Sequence, residues 1–401
     1  MTTRQLEPPS PKPFLVIWNI PSKKCGTRYG ILPKLTKYGI LHNTHQHFYG
    51  EEIVIFYANH LGFYPRLLAD GEVVNGGIPQ LANMDMHLAK ARGDIEKRIP
   101  NANFSGYGVI DWESWRPIFR RNWGVHRMYK ERAVKAIAKQ YPSWNYTTVK
   151  AYAKKEFDIS ARRFITATLS LAKDLRPLAK WGFYLFPDCY NFRNGQDYCD
   201  KKQTKRNDRL WWLFRASGAL YPSIYLTQKL RPKYRAGHIK GILQEGYRIQ
   251  KTHTNRARTP VLPYARIRYS DTNFLLSRND LEGTIGQAAT SGSSGIVLWE
   301  KYANTVGKRK CVQLKKYVQK MLGPFLMTLQ RFVTDCSKTL CEGRGRCVRK
   351  KHFPSKTRPH HYKHGFVSMF AKHQRRYDQA FRCSCFEGWR GTRCEWKDID
   401  N

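Results

Sequence analysis

Between positions 105 and 117 the sequence reads Ser-Gly-Tyr-Gly-Val-Ile-Asp-Trp-Glu-Ser-Trp-Arg-Pro, a short apolar run that ends in two carboxylates and an arginine. On an extended strand residues i and i+2 face the same way. Asp111 and Glu113 therefore project together, with Cα atoms about 7 Å apart. Two carboxylates that close repel when both are charged, which raises the pKa of one of them. A proton held near working pH is what a general acid needs, and glycosidases hold it with a carboxylate neighbour and an aromatic wall. A D-x-E triplet alone is most often a solvated surface pair. Here Trp112, Trp115 and Pro117 hem the pair in and Arg116 stands beside it. A half-buried acid pair next to a cation needs a reason.

The elements that must carry this pair read as strands alternating with helices. Apolar runs at 14–19, 53–57, 182–186, 219–225, 260–269 and 295–299 join the one before Asp111, each long enough for a buried strand. Helical periodicity marks 85–98, 127–140, 149–175, 230–250 and 281–289, and a closing helix begins over 311–322. Such alternation forms parallel βαβ units. The pattern predicts an α/β fold, a (β/α) barrel of seven or eight strands. An open doubly wound sheet is the alternative, which no G-x-G-x-x-G or P-loop supports. Several strands end in a polar or aromatic residue: Tyr57, Asp111 with Glu113, Tyr184, Tyr225 and Trp299. In a barrel that end carries the chemistry.

The chain has 401 residues, room for one large domain and a small one. Lys and Arg outnumber Asp and Glu by 71 to 30, a formal charge of +41. Such a field gathers polyanions: nucleic acid, anionic membrane or acidic polysaccharide. No apolar run reaches 18 residues, so no transmembrane segment is expected. No hydrophobic C-terminal tail suggests a lipid anchor, and no nucleic-acid motif is present. His42, His45 and His47 lack an acidic or cysteine partner at ligand spacing; they read as loop and core histidines, and no metal is expected. The first residues are polar and Pro-rich, without the apolar core of a signal peptide. Ten cysteines favour an oxidising compartment, and sequons at Asn103 and Asn145 mark glycosylation sites compatible with it. An extracellular or lysosomal location is expected.

Cys189 and Cys199, ten apart, are expected to be bridged. Further on, Cys336-x4-Cys341-x5-Cys347, a long gap, and Cys383-x-Cys385-x8-Cys394 enclosing Gly388-Trp389-x-Gly391 resemble an EGF-like module. Such a module needs its disulfides to fold; zinc is the other reading of these cysteines. The usual order in that module would pair Cys336 with Cys347, Cys341 with Cys383 and Cys385 with Cys394. The division expected is a tail over 1–12, a barrel over 13–332, the module over 333–396 and a tail over 397–401. Within the module, 348–382 reads as a basic, His-rich insert able to touch polyanion.

From about Pro13 to Trp396 the chain resembles the animal and venom hyaluronidases, glycoside hydrolase family 56. The resemblance rests on Val109-Ile110-Asp111-Trp112-Glu113-x-Trp115-Arg116-Pro117, Gly182-Phe183-Tyr184-x-Phe186-Pro187-x-Cys189-Tyr190-Asn191, Ala219-Leu220-Tyr221-Pro222-Ser223-Ile224-Tyr225-Leu226 and Gly295-Ile296-Val297-Leu298-Trp299. An appended EGF-like module is typical of the vertebrate-type members. The resemblance implies a distorted (β/α) barrel that hydrolyses β-1,4 bonds after N-acetylhexosamine in hyaluronan, often with chondroitin or chondroitin sulfate as a second substrate. It implies substrate-assisted, retaining catalysis, in which the acetamido carbonyl of the sugar is the nucleophile. No organic cofactor is expected.

Carried over position by position, Glu113 would act first as general acid and then as base. Asp111 would hold the acetamido nitrogen and stabilise the charge developing on it, with Tyr184 and Tyr225 positioning the group. Tyr57 and Trp299 would line sugar subsites, and Arg116 and Arg268 would meet uronate carboxylates or brace the acid pair. The resemblance also pairs Cys25 with Cys311 and Cys189 with Cys199. The plainer alternatives are that Trp299 is core, Arg116 a structural partner of Asp111, and Tyr184 and Tyr225 wall residues. Two departures from the family stand out. Glu300 follows Trp299 where the family usually has glycine, which would put bulk and negative charge at the cleft rim. Arg215-Ala216-Ser217-Gly218 precedes Ala219 in place of an acidic or amide residue. Both could alter which polymer is accepted, and the high charge makes chondroitin a rival to hyaluronan. The alternative function is a catalytically silent polyanion binder.

Overall fold

The computed structural model describes residues 11–192, 196–254, 259–350 and 377–398. Eight parallel strands line its centre: β1 (Leu15–Asn19), β2 (Leu41–His42), β3 (Ile53–Tyr57), β4 (Tyr107–Asp111), β5 (Lys180–Leu185), β6 (Tyr221–Pro222), β7 (Tyr264–Arg266) and β8 (Gly295–Trp299). They hydrogen-bond as two four-stranded sheets, β2-β1-β8-β7 and β3-β4-β5-β6. Parallel bridges Leu220↔Val261 and Ser223↔Tyr264 join β6 to β7. Across the other seam the buried Asn43 side chain stands in for a ladder, accepting from Ile53 N at 3.1 Å and donating to Ile53 O at 2.9 Å. The ring is a distorted (β/α) barrel. The runs expected at 219–225 and 260–269 shrink to ladders of two and three residues, because Pro222 and Pro263 bring no N–H to the ladder.

Alternate side chains on a strand face opposite sides, and the sequence honours that period. Ile17, Ile53, Ile55, Val109 and Val297 pack together in the lumen, while Val54, Phe56, Ile110 and Trp181 face the outer helices. Each such fully buried side chain contributes about 1.5–3 kcal/mol. Register sets Ile55 beside Val109 and Tyr57 beside Asp111, so Asp111 continues the inward row of Tyr107 and Val109. Gly182 has to be glycine for a packing reason: a Cβ there would stand 2.3 Å from Ala219 O and 3.0 Å from the Tyr221 ring.

Helices α1 (Met84–Arg98), α2 (Arg127–Gln140), α3 (Tyr146–Leu175), α4 (Lys201–Asp208), α5 (Pro232–His253) and α6 (Gly323–Cys341) are the main outer elements. α3 starts three residues earlier than its apolar pattern does, because Asn145 caps it by accepting from Thr148 N at 3.0 Å. Both sequon asparagines, Asn103 and Asn145, are exposed. Among the described residues no helix is long and apolar enough to cross a membrane.

α6 runs without a break through the boundary expected between 332 and 333, since its buried row Phe325, Leu329, Phe332 and Cys336 continues across it. The module beyond contains an antiparallel pair, Gly345–Arg349 with Phe381–Cys385. It is tied to the barrel by Arg346, whose Nε donates to Pro13 O at 2.9 Å. Disulfides join Cys25 to Cys311, Cys189 to Cys199, Cys336 to Cys347, Cys341 to Cys383 and Cys385 to Cys394. Most of the basic insert (351–376), residues 1–10 and residues 399–401 lie outside the described residues.

Candidate active site

The parallel register brings the carboxyl ends of the strands to one mouth. Tyr57 ends β3 beside Asp111 on β4, and Trp299 ends β8 between Asn19 on β1 and Arg266 on β7. Asp111 is half-buried and Glu113 is exposed. The turn that follows is fixed by its own polar groups. Arg116 Nη1 donates to Glu113 O at 2.9 Å, Arg116 N donates to Asn122 Oδ1 at 2.8 Å, and His126 Nδ1 donates to Ser114 O at 2.9 Å. Trp112 and Trp115 do not wall the carboxylates. Both are buried beneath the turn and stack on Tyr64, with centroids 4.7 and 5.3 Å away. The strand period sends Trp112 to the face opposite Asp111.

Asp111 is hydrogen-bonded to Glu113, and burial first, then the Glu113 charge, push it up to about 8. The Arg116 cation acts in the opposite sense. Asp111 therefore keeps its proton at neutral pH and directs it at the accessible Glu113.

Facing it is a row of aromatic groups. The Tyr184 hydroxyl donates to Ser223 Oγ at 3.1 Å, and its ring lies 6.1 Å from that of Tyr225. Tyr225 stacks on Trp299 at 5.9 Å with the rings 10° from parallel. Trp299 Nε1 donates to the Tyr57 hydroxyl at 3.0 Å, and Tyr57 stacks on Phe48 at 6.0 Å. Burial pushes all three phenols up, so they stay protonated donors at working pH. Leu185 takes φ +81°, an uncommon conformation for a leucine, immediately after Tyr184.

Three sequence-level placements need correction. Glu300 is not on the rim: it is 1% exposed and takes an ion pair from Arg266. Arg268 is 3% exposed and spends its guanidinium on Asn273 O at 2.5 Å and Gln313 Oε1 at 3.1 Å. Its Nε lies 4.0 Å from Glu300 Oε2, so it braces Glu300 from behind and does not reach into the cleft. The segment Arg215–Gly218 precedes β6, at the end of the barrel away from the mouth, where Gly218 N donates to Trp181 O at 2.6 Å. Arg116 stays at the turn beside the acid pair. Two residues were missed: Ser223, which extended spacing from Tyr225 could have flagged, and Arg266, whose charge complements Glu300. Among the described residues no cluster of three or more His, Cys, Asp or Glu is placed to hold a metal.

A family model for glycoside hydrolase family 56, described as hyaluronidase, matches residues 5–398. The chain belongs to the hyaluronidase family. It is 37% identical to hyaluronidase-1 of Sus scrofa, over 96% of this chain and 92% of that one. It is 36% identical to a hyaluronidase of Crotalus adamanteus over 97% and 91%. The solved structure of bee venom hyaluronidase in complex with a hyaluronic acid tetramer is 38% identical and superposes with a TM-score of 0.74, covering 78% of this chain and 98% of that one. As a hyaluronidase-family protein the chain is a glycoside hydrolase built on the barrel described above, followed by a small disulfide-rich domain.

Proposed function

We propose that this hyaluronidase-family protein is an endo-acting hydrolase that cleaves β-1,4 bonds after N-acetylhexosamine in hyaluronan and chondroitin. The observation that carries the reading is the half-buried Asp111 carboxyl, paired with the accessible Glu113 at the mouth and facing Tyr184 and Tyr225. Glu113, the accessible member, gives its proton to the glycosidic oxygen as the bond to C1 breaks. The acetamido oxygen of the same sugar closes on C1 and keeps its configuration retrievable. Asp111 holds the acetamido N–H and stabilises the positive charge on the ring so formed, while Tyr184 and Tyr225 orient it. Glu113, now a carboxylate, takes a proton from water, whose oxygen attacks C1 and reopens the ring. Net retention results. Trp299 and Tyr57 offer flat faces to neighbouring sugars, and Arg116 supplies a cation beside the acid pair.

The bee venom relative bound to a hyaluronic acid tetramer supports an acidic polysaccharide as substrate. The charge of +41 favours sulfated or unsulfated chondroitin as a further one. Five disulfides support an extracellular or lysosomal setting. We assign residues 13–332 to the catalytic unit and 333–396 to the appended EGF-like module, the two sharing α6.

The test is product size from hyaluronan and unsulfated chondroitin side by side across pH 3.5 to 7.5, wild type against Glu113→Gln. Short even-numbered oligosaccharides from wild type, with a loss of about 10²–10⁴-fold in the variant, support the mechanism. Polymer that binds and never shortens would make the protein a silent polyanion binder.

A further inference from the structure

A second feature of the surface is independent of the cleft. A groove of about 1510 Å³ runs between α2 and α3. It is built from segments that follow β3, β4 and β5, so it borders the end of the barrel that carries Tyr57, Asp111 and Tyr184, yet no residue of the cleft lines it. Nine Lys and Arg of the described residues line it, among them Lys130, Lys135, Lys150, Lys154, Lys202 and Arg206. The one acid among the described residues that line it, Glu131, is already paired with Arg127 at 2.7 Å. Those six have no ion-pair partner within 4.0 Å among the described residues.

Like charges set one helical turn apart, as Lys150 and Lys154 are, repel unless a counter-charge lies across them. Two facing helices of the same sign concentrate that field in the groove between them. The floor is partly apolar, with Val73, Phe119 and Val134, and Tyr146 stands 67% exposed at its edge. Cationic walls over an apolar floor suit a chain whose rings alternate flat faces with fixed anions. We infer that this groove is an exosite for a sulfated glycosaminoglycan chain, separate from the catalytic cleft. Sulfate gives such a chain the charge density at which released counterions drive binding.

The experiment measures binding of a chondroitin sulfate decasaccharide by calorimetry at several salt concentrations. All proteins carry Glu113→Gln, so the ligand is not consumed and the result does not depend on the proposed catalysis. The groove variant is Lys135→Gln/Lys150→Gln/Lys154→Gln/Lys202→Gln. The control removes equal charge from exposed positions beyond β8: Lys308→Gln/Arg309→Gln/Lys316→Gln/Lys320→Gln. Affinity should fall at least tenfold in the groove variant, with the slope of log K on log salt shallower by about 3, and stay within twofold in the control. Equal losses in both, or none in either, overturn the site in favour of a diffuse field. With Glu113 restored, the groove variant should cut short unsulfated hyaluronan oligosaccharides at the wild-type rate; a loss there would make the groove part of the cleft and overturn the proposal. An oligodeoxynucleotide of matched charge that binds the groove more tightly than the sulfated chain would overturn the ligand class.

Discussion

Arg266 and Glu300 form an ion pair buried directly behind the aromatic wall of the cleft. The Arg266 guanidinium lies 6.0 Å from the Tyr225 ring and 5.9 Å from that of Trp299, and Glu300 also accepts from Lys301 N and Asn304 Nδ2, both at 2.9 Å. Removing one partner of such a pair strands the other charge in low dielectric, at about 3–5 kcal/mol. Glu300→Ala should lose about that much stability to urea and lose activity several-fold as Trp299 shifts. The double change Arg266→Gln/Glu300→Gly should cost less than the sum of its parts, by about 1–3 kcal/mol. Strict additivity would mean that the two residues stabilise the wall independently.

Asp111 gives a pH dependence whose sign is set by its raised pKa. The folded protein keeps a proton that the unfolded chain releases near 3.8 and the native pair releases near 8. Its stabilising contribution is fully present below about pH 4 and is lost as pH rises to about 8. Asp111→Asn should therefore gain in melting temperature relative to wild type on going from pH 4 to pH 8.5, although activity falls. Turnover by wild type should decline above about pH 8, where Asp111 has lost its proton. A wild-type rate that stays flat to pH 9.5 would exclude the Asp111 proton as the source of the acid.

The inward face of the barrel was legible because period two is local: Val109 and Asp111, or Val297 and Trp299, need only the strand to exist. The aromatic ends of strands were legible for the same reason. What was not legible depends on pairing between distant strands. Arg266 and Glu300 lie 34 positions apart and meet only because β7 and β8 are neighbours in register. Read singly, Glu300 looked like a rim charge and Arg268 like a substrate ligand; burial on the far side of β8 makes both structural. Ser223 was missed because it follows a two-residue ladder that carries almost no periodic signal. The expected bounds of 13–332 and 333–396 meet inside α6, because one continuous apolar stripe carries that helix from barrel to module.

Tyr184 spends its hydroxyl on Ser223, and that contact separates orientation from acidity. Burial keeps the phenol protonated, so it acts as a fixed donor and adds no limb of its own to the pH profile. Tyr184→Phe should lower kcat by about 10²-fold with KM changed less than threefold, the size seen when one preorganised donor at a developing charge is removed. Ser223→Ala, which leaves the phenol but frees its rotation, should cost about tenfold or less. If Ser223→Ala is the more damaging of the two, the serine rather than the tyrosine meets the substrate.

The Cys25–Cys311 bond spans 286 residues and ties the segment after β1 to the helix after β8. Those strands already share five residue pairs in register, so the bond adds little new geometry to the native state and acts mainly on the unfolded chain. Loop-closure entropy grows with the logarithm of the span, which gives about 6 kcal/mol for this bond and about 2–3 kcal/mol for Cys385–Cys394, whose span is 9. Cys25→Ala/Cys311→Ala should accordingly lower the free energy of unfolding in guanidinium about twice as much as Cys385→Ala/Cys394→Ala. Equal losses would show that local packing around each sulfur pair, rather than the length of chain it closes, sets what these bridges contribute.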